Sequence, residues 1–266
     1  MTSVAGTIDV ARRESRAALI GYLPAGFPTV AMSVELARAL VDSGVDVVEI
    51  GLPYSDPVMD GPTIQAAAAA ALAGGTRIRD VLNVVETVAL HVPTLVMTYW
   101  NPVERYGVEH FAADLAAAGG AGLITPDLIP DEADAWVAAA DAHDLDKVFL
   151  VAPSSTTTRL RTTTVACRGF VYAAAVMGVT GARTSTSDAG RILVGRVREV
   201  SDLPVGVGLG VSDGSQAAEV ASYADAVIVG SALVAAVQKA DSDAAALTAV
   251  QALTEDLARG VRGELS

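Results

Sequence analysis

The amino-acid sequence predicts an α/β protein folded as a single (β/α)8 TIM barrel over residues 1–266, with an extra N-terminal helix and an insertion after strand 2. Eight short apolar runs recur along the chain, and a segment of helical periodicity follows each of them. Most runs are apolar on both faces, which is typical of parallel strands that have helices on one side and a barrel core on the other. An open doubly wound sheet is the alternative that this alternation also allows.

The predicted elements follow one another without a linker. The strands fall at residues 17–23, 45–51, 94–100, 122–126, 147–152, 169–175, 204–209 and 224–229. Apolar helical faces fill the segments between them, and two such segments end at Gly44 and Gly119. Strands 2 and 3 are separated by room for an extra helix, where the alanine-rich residues 66–75 predict a packed one. Residues 8–18 predict the N-terminal helix, and more helices are predicted beyond Asp241.

The composition excludes several classes of partner. The chain has 18 basic and 31 acidic side chains, and its net charge of −13 opposes binding to nucleic acid or to an anionic membrane. No run approaches the roughly 18 apolar residues of a membrane-spanning helix. Pro24 interrupts the first apolar run and acidic residues precede it, so we expect no export signal and a cytoplasmic protein. The single cysteine, Cys167, fits a reducing compartment and is predicted to be small and buried.

Few ionisable residues stand where the chemistry of a barrel is expected, at the C-terminal ends of the strands. Asp46, Lys147 and Asp225 begin strands, so they are predicted to be surface residues of the face that stabilises the fold. The three histidines fall in helical segments or at their ends, so we expect neither a metal site nor a histidine base; they are His91, His110 and His143.

Glu49 is the exception, because strand parity places it on the face of Val45 and Val47 and opposite Val48 and Ile50. Burial in a barrel mouth would raise the pKa of this carboxyl toward neutrality, where one group can both give and take a proton. The alternative is a glutamate paired with a buried arginine.

The loop after this strand offers Asp56 and Asp60 beside two prolines. Either aspartate could cap a turn or the next helix, and one could be a second catalytic carboxylate. Two carboxylates in different surroundings would give one site both an acid and a base.

Glycines mark the ends of strands 7 and 8. Residues 206–212 read Gly-Val-Gly-Leu-Gly-Val-Ser and residues 229–232 read Val-Gly-Ser-Ala, so bare backbone N–H groups and a helix N-terminus could hold a phosphate. Ordinary strand-to-helix turns are the alternative. Ser231 could assist without any lysine, which suits an acidic chain.

A polar stretch rich in Gly, Ser and Thr, residues 177–189, follows strand 6 and is predicted to be a mobile lid or only a loop. On the strand itself, Tyr172 shares a face with Phe170 and Ala174. Its hydroxyl could orient a substrate or complete a hydrogen bond in the core.

The residues that the chain lacks exclude two kinds of aldolase mechanism. It has two lysines, Lys147 and Lys239, and neither ends a strand, so an aldolase that works through a Schiff base has no nucleophile. An aldolase that depends on a metal has no set of ligands. The remaining chemistry is carboxylate acid and base catalysis on a substrate that carries phosphate.

These residues resemble the tryptophan synthase alpha chain family over nearly the whole chain. Residues 49–65 carry most of the likeness, with Glu-Ile-Gly-Leu-Pro-Tyr-Ser-Asp-Pro-Val-Met-Asp-Gly-Pro-Thr-Ile-Gln. Gly-Val-Thr-Gly at 178–181, Gly-Leu-Gly at 208–210 and Gly-Ser-Ala at 230–232 add to it. The resemblance implies a carbon–carbon lyase of tryptophan biosynthesis that cleaves indole-3-glycerol phosphate to indole and glyceraldehyde 3-phosphate.

The resemblance also implies partners and roles. A beta chain that carries pyridoxal phosphate would receive the indole in an alpha2beta2 heterotetramer under allosteric control, and this chain would hold no cofactor. Glu49 would move protons at the glycerol hydroxyl and at indole C3, Asp60 would hold the indole N–H, and Tyr172 would be the active-site tyrosine. The implied substrate-binding residues are Tyr22, Met97, Tyr99 and Leu209 for indole, Gly181, Gly210, Gly230 and Ser231 for phosphate, and Thr180 on the lid.

The chain departs from the family pattern at two positions, which bear on closure of the lid and on the response of the chain to its partner. Met177 stands where many members have a serine, and Phe27 stands where many have an aspartate. Two other readings remain open, namely another phosphate-binding barrel of tryptophan or histidine biosynthesis and a non-catalytic regulatory barrel.

Overall fold

The computed structural model of the chain describes residues 3–175, 186–208 and 210–265. Eight parallel strands close into a barrel in chain order, because strand β8 pairs with strand β1. The predicted (β/α)8 barrel is therefore confirmed, and the open doubly wound sheet is excluded.

The strands overlap all eight predicted runs. They are β1 Ala18–Pro24, β2 Val47–Gly51, β3 Thr94–Met97, β4 Gly122–Thr125, β5 Asp146–Val151, β6 Val171–Ala174, β7 Val205–Gly208 and β8 Ala226–Val229. The helices are α1 Val4–Arg13, α2 Val30–Asp42, α3 Pro62–Ala73, α4 Ile78–Val88, α5 Trp100–Tyr106, α6 Val108–Ala117, α7 Asp134–Ala142, α8 Thr157–Ala166, α9 Thr186–Arg198, α10 Gly214–Ala221, α11 Ser231–Gln238 and α12 Asp243–Arg262, with a short 3-10 helix at Pro130–Glu132.

The N-terminal helix is predicted at residues 8–18, and it is the element that differs most from its prediction. It begins at Val4, because the Ser3 side chain accepts the N–H of Gly6 and caps the first turn. It ends at Arg13, and Ser15 then adopts a left-handed φ of 59° that turns the chain into β1. The insertion after β2 is confirmed as helices α3 and α4, and the alanine-rich stretch lies in α3.

Strand parity divides the apolar side chains into two layers. One layer fills the barrel interior, where helix α1 closes its lower end; it comprises Val4, Ile8, Ala11, Ala18, Ile20, Val47, Leu95, Ile124, Val148, Phe170, Ala226 and Ile228. Val48 and Ile50 point outward and pack against the helices, as predicted. Val45 also lies in this outer layer, so its predicted position beside Val47 is wrong, because β2 begins only at Val47. Cys167 is buried as expected.

Three residues predicted to be surface residues lie at the expected face, where Lys147 and Asp225 are buried and Asp46 is partly buried. The guanidinium of Arg16 bonds both oxygens of Asp46 at 2.8 Å. Asp225 pairs with Arg198 at 3.0 Å, and Lys147 pairs with Asp141. The prediction of exposure is wrong because the adjoining elements supply opposite charges that make burial of these side chains tolerable.

No helix of the described residues is long and apolar enough to span a membrane. The same part of the chain contains no group of three His, Cys, Asp or Glu side chains that could hold a metal ion.

The Arg16 and Asp46 pair is expected to contribute strongly to stability. Both side chains are only 13% exposed, so Arg16→Ala would leave a carboxylate with little access to water and without its cation. We expect a loss of about 2–4 kcal/mol in the free energy of unfolding, measured by urea denaturation.

The matched control is Arg38→Ala, which breaks a pair with Glu35 whose side chains are 49% and 55% exposed. It should cost about 0.5 kcal/mol or less. Equal losses for the two variants would show that burial does not set the strength of these pairs.

Candidate active site

The C-terminal ends of the strands surround a cavity of about 300 Å³, which we call the barrel mouth. It is lined by Tyr22, Glu49, Met59, Asp60, Gly61, Ile64, Met97, Pro126, Leu150, Tyr172, Ala174, Gly208, Gly210, Ile228, Gly230 and Ser231. Apolar and aromatic walls with a few converging polar groups are typical of a small-molecule site.

A larger cavity of about 540 Å³ lies at the opposite face, next to the start of α1. Its charged groups are already paired, since Arg168 contacts Asp144 at 3.0 Å and Asp146 at 3.1 Å. Because barrel enzymes place their chemistry at the C-terminal face, we assign this cavity to the stabilising end of the fold.

Glu49 enters the mouth from β2 with its side chain almost fully buried, at 1% exposure. Its Oε2 atom has no hydrogen-bond partner among the described residues. Burial, and to a smaller extent the negative charge of Asp60, raise the pKa of this carboxyl to about 8. The expected shift toward neutrality is present, and its cause is burial without a cation rather than a pair with arginine.

The loop between β2 and α3 places one of its two aspartates in the mouth. Asp60 lines the cavity, whereas Asp56 is exposed and accepts a hydrogen bond from Ser55 at 2.5 Å. Burial raises the pKa of Asp60 to about 6, and the nearby Tyr99 hydroxyl acts against that rise. The pKa values of the two carboxyl groups therefore differ mainly because Glu49 is buried more deeply than Asp60.

Two tyrosines face these carboxyl groups. Burial and the charges of Glu49 and Asp60 raise the pKa values of Tyr22 and Tyr172 well above their ordinary value, so both hydroxyls keep their protons. A Cβ atom on Gly51 would lie 2.3 Å from the Tyr22 hydroxyl, and one on Gly208 would lie 2.6 Å from the Tyr172 hydroxyl. Both glycines therefore leave room for a side chain of the mouth.

The opposite side of the mouth is built from backbone. Gly208, Gly210, Gly230 and Ser231 line it together, as the sequence predicts for an anion site. Helix α11 begins at Ser231. Its N-cap residue is Gly230, so no side chain of the cap residue occupies the N–H groups of the first turn. Among the described residues that line the mouth there is no lysine, arginine or histidine. The N–H groups and dipole of α11 are thus the attraction this surface offers to a phosphate.

Most residues predicted for the site meet in this one cavity. Glu49, Asp60, Tyr172, Tyr22, Met97, Gly210, Gly230 and Ser231 all line it. Tyr99 lies just behind the mouth, where its hydroxyl accepts the N–H of Met59 at 2.9 Å. Thr180, Gly181, Leu209 and Met177 lie outside the described residues. Sequence reasoning gave no role to Gly51, although a glycine at the end of a strand is a signal for close approach of another group.

At neutral pH the mouth contains one carboxyl that is mostly protonated and one that is mostly ionised. A phosphate at α11 and an aromatic ring against Tyr22 and Met97 would fit the cavity between them. The arrangement suits proton transfer to and from a small phosphate ester.

Comparison with known proteins gives one consistent result. A sequence model of the family described as tryptophan synthase alpha chain matches residues 8–262. The tryptophan synthase alpha chain of Nocardia farcinica is 62% identical over 260 residues, which are 97% of this chain and 96% of that protein. A ligand-free crystal structure of tryptophan synthase from M. tuberculosis matches with a TM-score of 0.90 at 57% identity, over 98% of this chain and 100% of that chain. The tryptophan synthase subunit alpha from Legionella pneumophila matches with a TM-score of 0.89 at 32% identity, over 99% of both chains.

The buried Glu49 carboxyl should make the fold less stable as pH rises. Its pKa is about 8 in the folded chain against an ordinary 4.5, so between these values the unfolded chain releases a proton that the folded chain keeps. The free energy of unfolding then falls by about 1.4 kcal/mol per pH unit from this group. Because Gln does not titrate, Glu49→Gln should gain about 2 kcal/mol over the parent chain between about pH 5.5 and 7.5.

Urea denaturation across this range measures the difference. Glu35→Gln, at an exposed position, should give a curve parallel to that of the parent chain. A parallel curve for Glu49→Gln as well would show that Glu49 is not held protonated in the fold.

Proposed function

The chain belongs to the tryptophan synthase alpha chain family, and we propose that its barrel mouth performs the cleavage of indole-3-glycerol phosphate to indole and glyceraldehyde 3-phosphate. The observation that carries this proposal is the meeting of a neutral buried Glu49, an ionised Asp60 and the open N-terminus of α11 in one cavity. The chain is thus a carbon–carbon lyase of tryptophan biosynthesis.

The substrate would span the mouth. Its phosphate would bind the N–H groups of Gly210 and Gly230 and the hydroxyl of Ser231, with Gly181 contributing from the lid. The indole ring would lie against Tyr22 and Met97, with Tyr99 and Leu209 completing its pocket. This orientation brings the indole N–H toward Asp60 and the glycerol carbons toward Glu49, while Thr180 would close over Asp60.

The reaction needs a proton at indole C3 and the removal of one from the glycerol hydroxyl. Neutral Glu49 donates its proton to C3, and the ring becomes a cationic indolenine. The bond from C3 to the glycerol carbon then breaks, its electron pair returns to the ring, and the hydroxyl on that carbon gives its proton to the Glu49 carboxylate as it becomes an aldehyde. Glu49 ends as it began, and nothing else is consumed.

The ionised Asp60 and the Tyr172 hydroxyl support this cycle. Asp60 accepts the indole N–H and stabilises the positive charge that forms on the ring, in a mouth whose low polarity strengthens that attraction. Tyr172 lies on β6, across the closed barrel from Glu49 on β2, and its hydroxyl would donate a hydrogen bond that orients the glycerol hydroxyl. Because protonation makes the ring a leaving group, the bond breaks without a lysine or a metal.

We propose that the partner is a tryptophan synthase beta chain with pyridoxal phosphate, in an alpha2beta2 assembly in the cytoplasm, and that this chain itself works without a cofactor. Val58 and Met59 of the β2–α3 loop are 82% and 58% exposed, and apolar side chains of this kind are typical of a surface that a partner covers. Asp60 lies on the same loop, so contact with a partner can act on the site directly.

Neither alternative reading gains support from the mouth. An indole-forming cyclase barrel would be expected to present a lysine at a strand end, but Lys147 is the second residue of β5, at the opposite face. A non-catalytic regulatory barrel would need a surface that binds the substrate, but it would have no use for the neutral buried carboxyl of Glu49.

Release of indole from indole-3-glycerol phosphate tests the function directly. We expect slow release by the purified chain and release at least about 10-fold faster when a pyridoxal-phosphate beta chain is added. Glu49→Gln should lower kcat by about 100-fold or more because general acid and base catalysis is lost. Its substrate binding, measured by calorimetry, should change little because the phosphate site is separate. No indole from the parent chain in either mixture would reject the lyase assignment.

The two carboxyl groups predict a bell-shaped dependence of kcat/KM on pH. Asp60 must be ionised and Glu49 must be protonated, so activity should fall below about pH 6 and above about pH 8. These limits are apparent values of the interacting pair. Initial rates of the isolated chain between about pH 5 and 9 measure the profile, and Asp60→Asn should abolish its acidic limb. A profile that is flat over this range would contradict both assignments.

A further inference from the structure

We propose that a small cavity behind Asp60 is a specificity pocket, which admits an apolar substituent at C7 of the indole ring. We call this cavity the side pocket, and the wall residues that it does not share with the mouth are Leu52, Pro53, Tyr54, Ala68, Thr98 and Tyr99. The inference rests on the proposed function, since the position of the indole ring follows from it. It gives the site a range of substrates that extends beyond indole-3-glycerol phosphate.

The side pocket adjoins the mouth on the side of Asp60. The two cavities have five wall residues in common, namely Tyr22, Asp60, Ile64, Met97 and Pro126. Glu49 and the backbone that would hold the phosphate line the mouth but not the side pocket. The side pocket therefore leads away from the carboxyl that acts on indole C3 and away from the phosphate.

The order of the atoms in indole decides which edge of the ring meets the side pocket. In the proposed reaction, carbon C3 faces Glu49 and the ring N–H faces Asp60. Carbon C7 lies on the far side of the nitrogen from C2 and C3, so it points past Asp60 and away from Glu49. Because Asp60 lines both cavities, a group attached at C7 would enter the side pocket.

The side pocket has the size and the polarity for one small apolar group. Its volume is about 20 Å³, somewhat more than the roughly 10–15 Å³ that a single water molecule requires. Leu52, Ile64 and Ala68 are buried and form apolar walls. A water molecule would need about two to four polar partners. The Thr98 hydroxyl already donates to the carbonyl of Leu52 at 3.2 Å, and Asp60 would be occupied by the indole N–H. A methyl group therefore suits the side pocket better than water.

The walls of the side pocket are held by contacts within the chain. The Tyr99 hydroxyl accepts the N–H of Met59 at 2.9 Å and ties the β2–α3 loop to the segment after β3. The side-chain amide of Gln65 on α3 donates to the backbone carbonyl of Asp60 at 2.9 Å. The ring of Tyr54 packs against that of Tyr99, with the ring centroids 5.3 Å apart. The side pocket is therefore formed in advance, as small-molecule sites usually are.

Ala68 limits the side pocket on the side of helix α3. It lies one turn after Ile64, so both side chains are on one face of the helix, and it is 4% exposed. Because an alanine side chain ends at Cβ, the space beyond it stays open. Valine at this position would add two methyl groups and fill a cavity of about 20 Å³. Ala68 is thus the residue that decides whether a substituted ring can enter.

The test compares kcat/KM for indole-3-glycerol phosphate and for its 7-methyl derivative. We expect the parent chain to cleave the two with values within about 10-fold of each other, because the methyl group enters the side pocket. In Ala68→Val, the value for the 7-methyl derivative divided by that for the unsubstituted substrate should fall by at least about 10-fold. The reason is that the valine side chain and the methyl group compete for one space.

Ala69→Val is the matched control. Ala69 is exposed on the same helix and lines neither cavity, so this variant makes the same change of side chain away from the side pocket. Both variants lose the same small amount of helix propensity. The ratio of the two kcat/KM values in Ala69→Val should match that of the parent chain.

Binding separates this inference from the lyase function. The propanol phosphate analogues of the two substrates lack the glycerol hydroxyls and cannot be cleaved, so calorimetry gives their Kd values without turnover. The ratio of these Kd values should shift in Ala68→Val by about 10-fold or more, to the disadvantage of the 7-methyl analogue. This shift in a chain that releases no indole would support the side pocket while the lyase function failed.

Unchanged ratios of kcat/KM and of Kd in Ala68→Val would overturn the inference, even if the parent chain releases indole normally. A parent chain that prefers the unsubstituted substrate by more than about 10-fold would do the same. If Ala68→Val folds poorly, a crystal structure of the parent chain with the 7-methyl analogue bound decides the matter. The methyl group should lie between Leu52 and Ala68, and any other position would overturn the inference.

Discussion

The site depends on one constraint, which is that β2 must place the Glu49 side chain inside the closed barrel. Glu49 is paired in register with Tyr22 of β1 on one side and with Leu95 of β3 on the other, so its carboxyl is enclosed by neighbouring strands. A one-residue shift of β2 would turn Glu49 outward and bring Val48 and Ile50 inward. The apolar outer layer therefore fixes the register that also gives Glu49 its raised pKa.

Asp60 obtains a different pKa because it lies on a loop. A strand position would enclose it as fully as Glu49, and two such carboxyls would both stay neutral. The loop leaves Asp60 half-buried and within reach of the Tyr99 hydroxyl, which favours ionisation. In the proposed reaction, the carboxyl on the strand thus acts as the acid and the carboxyl on the loop as the anion.

How much of this the sequence predicts depends on the range of the interactions involved. Strand parity is local, so the inward direction of Glu49 and of Tyr172 follows from a few residues. The Tyr99 contact joins residues 40 positions apart, and no pattern near Tyr99 predicts that its hydroxyl meets the N–H of Met59. The low exposure of the Asp46 and Asp225 side chains escaped prediction for the same reason, since their arginine partners lie 30 and 27 positions away.

The residue pattern alone left Asp56 and Asp60 open as well, because both lie in one proline-rich loop with similar neighbours, and it was the family resemblance that implied Asp60. Only the path of that loop decides between them, and the path is set by tertiary contacts to Tyr99 and Gln65. A glycine such as Gly51 is visible in the sequence, but the group for which it leaves room is not. Pattern therefore identifies which groups are present, and packing decides which of them meet.

The protonation of Glu49 also bears on how a chain with a net charge of −13 can hold a phosphate ester. With Glu49 neutral and both tyrosine hydroxyls protonated, Asp60 carries the one negative charge among the described residues that line the mouth at neutral pH. That charge is the one needed to stabilise a cationic indole ring. In the proposed binding mode, the described residues that would hold the phosphate offer backbone dipoles and the Ser231 hydroxyl, and these add no mobile cation that could pair with Asp60. The described lining of the mouth contains no lysine or arginine. Because no cation lies beside it there, Glu49 stays protonated. For the same reason the Asp60 carboxylate is not paired with a cation and is free to act on the ring.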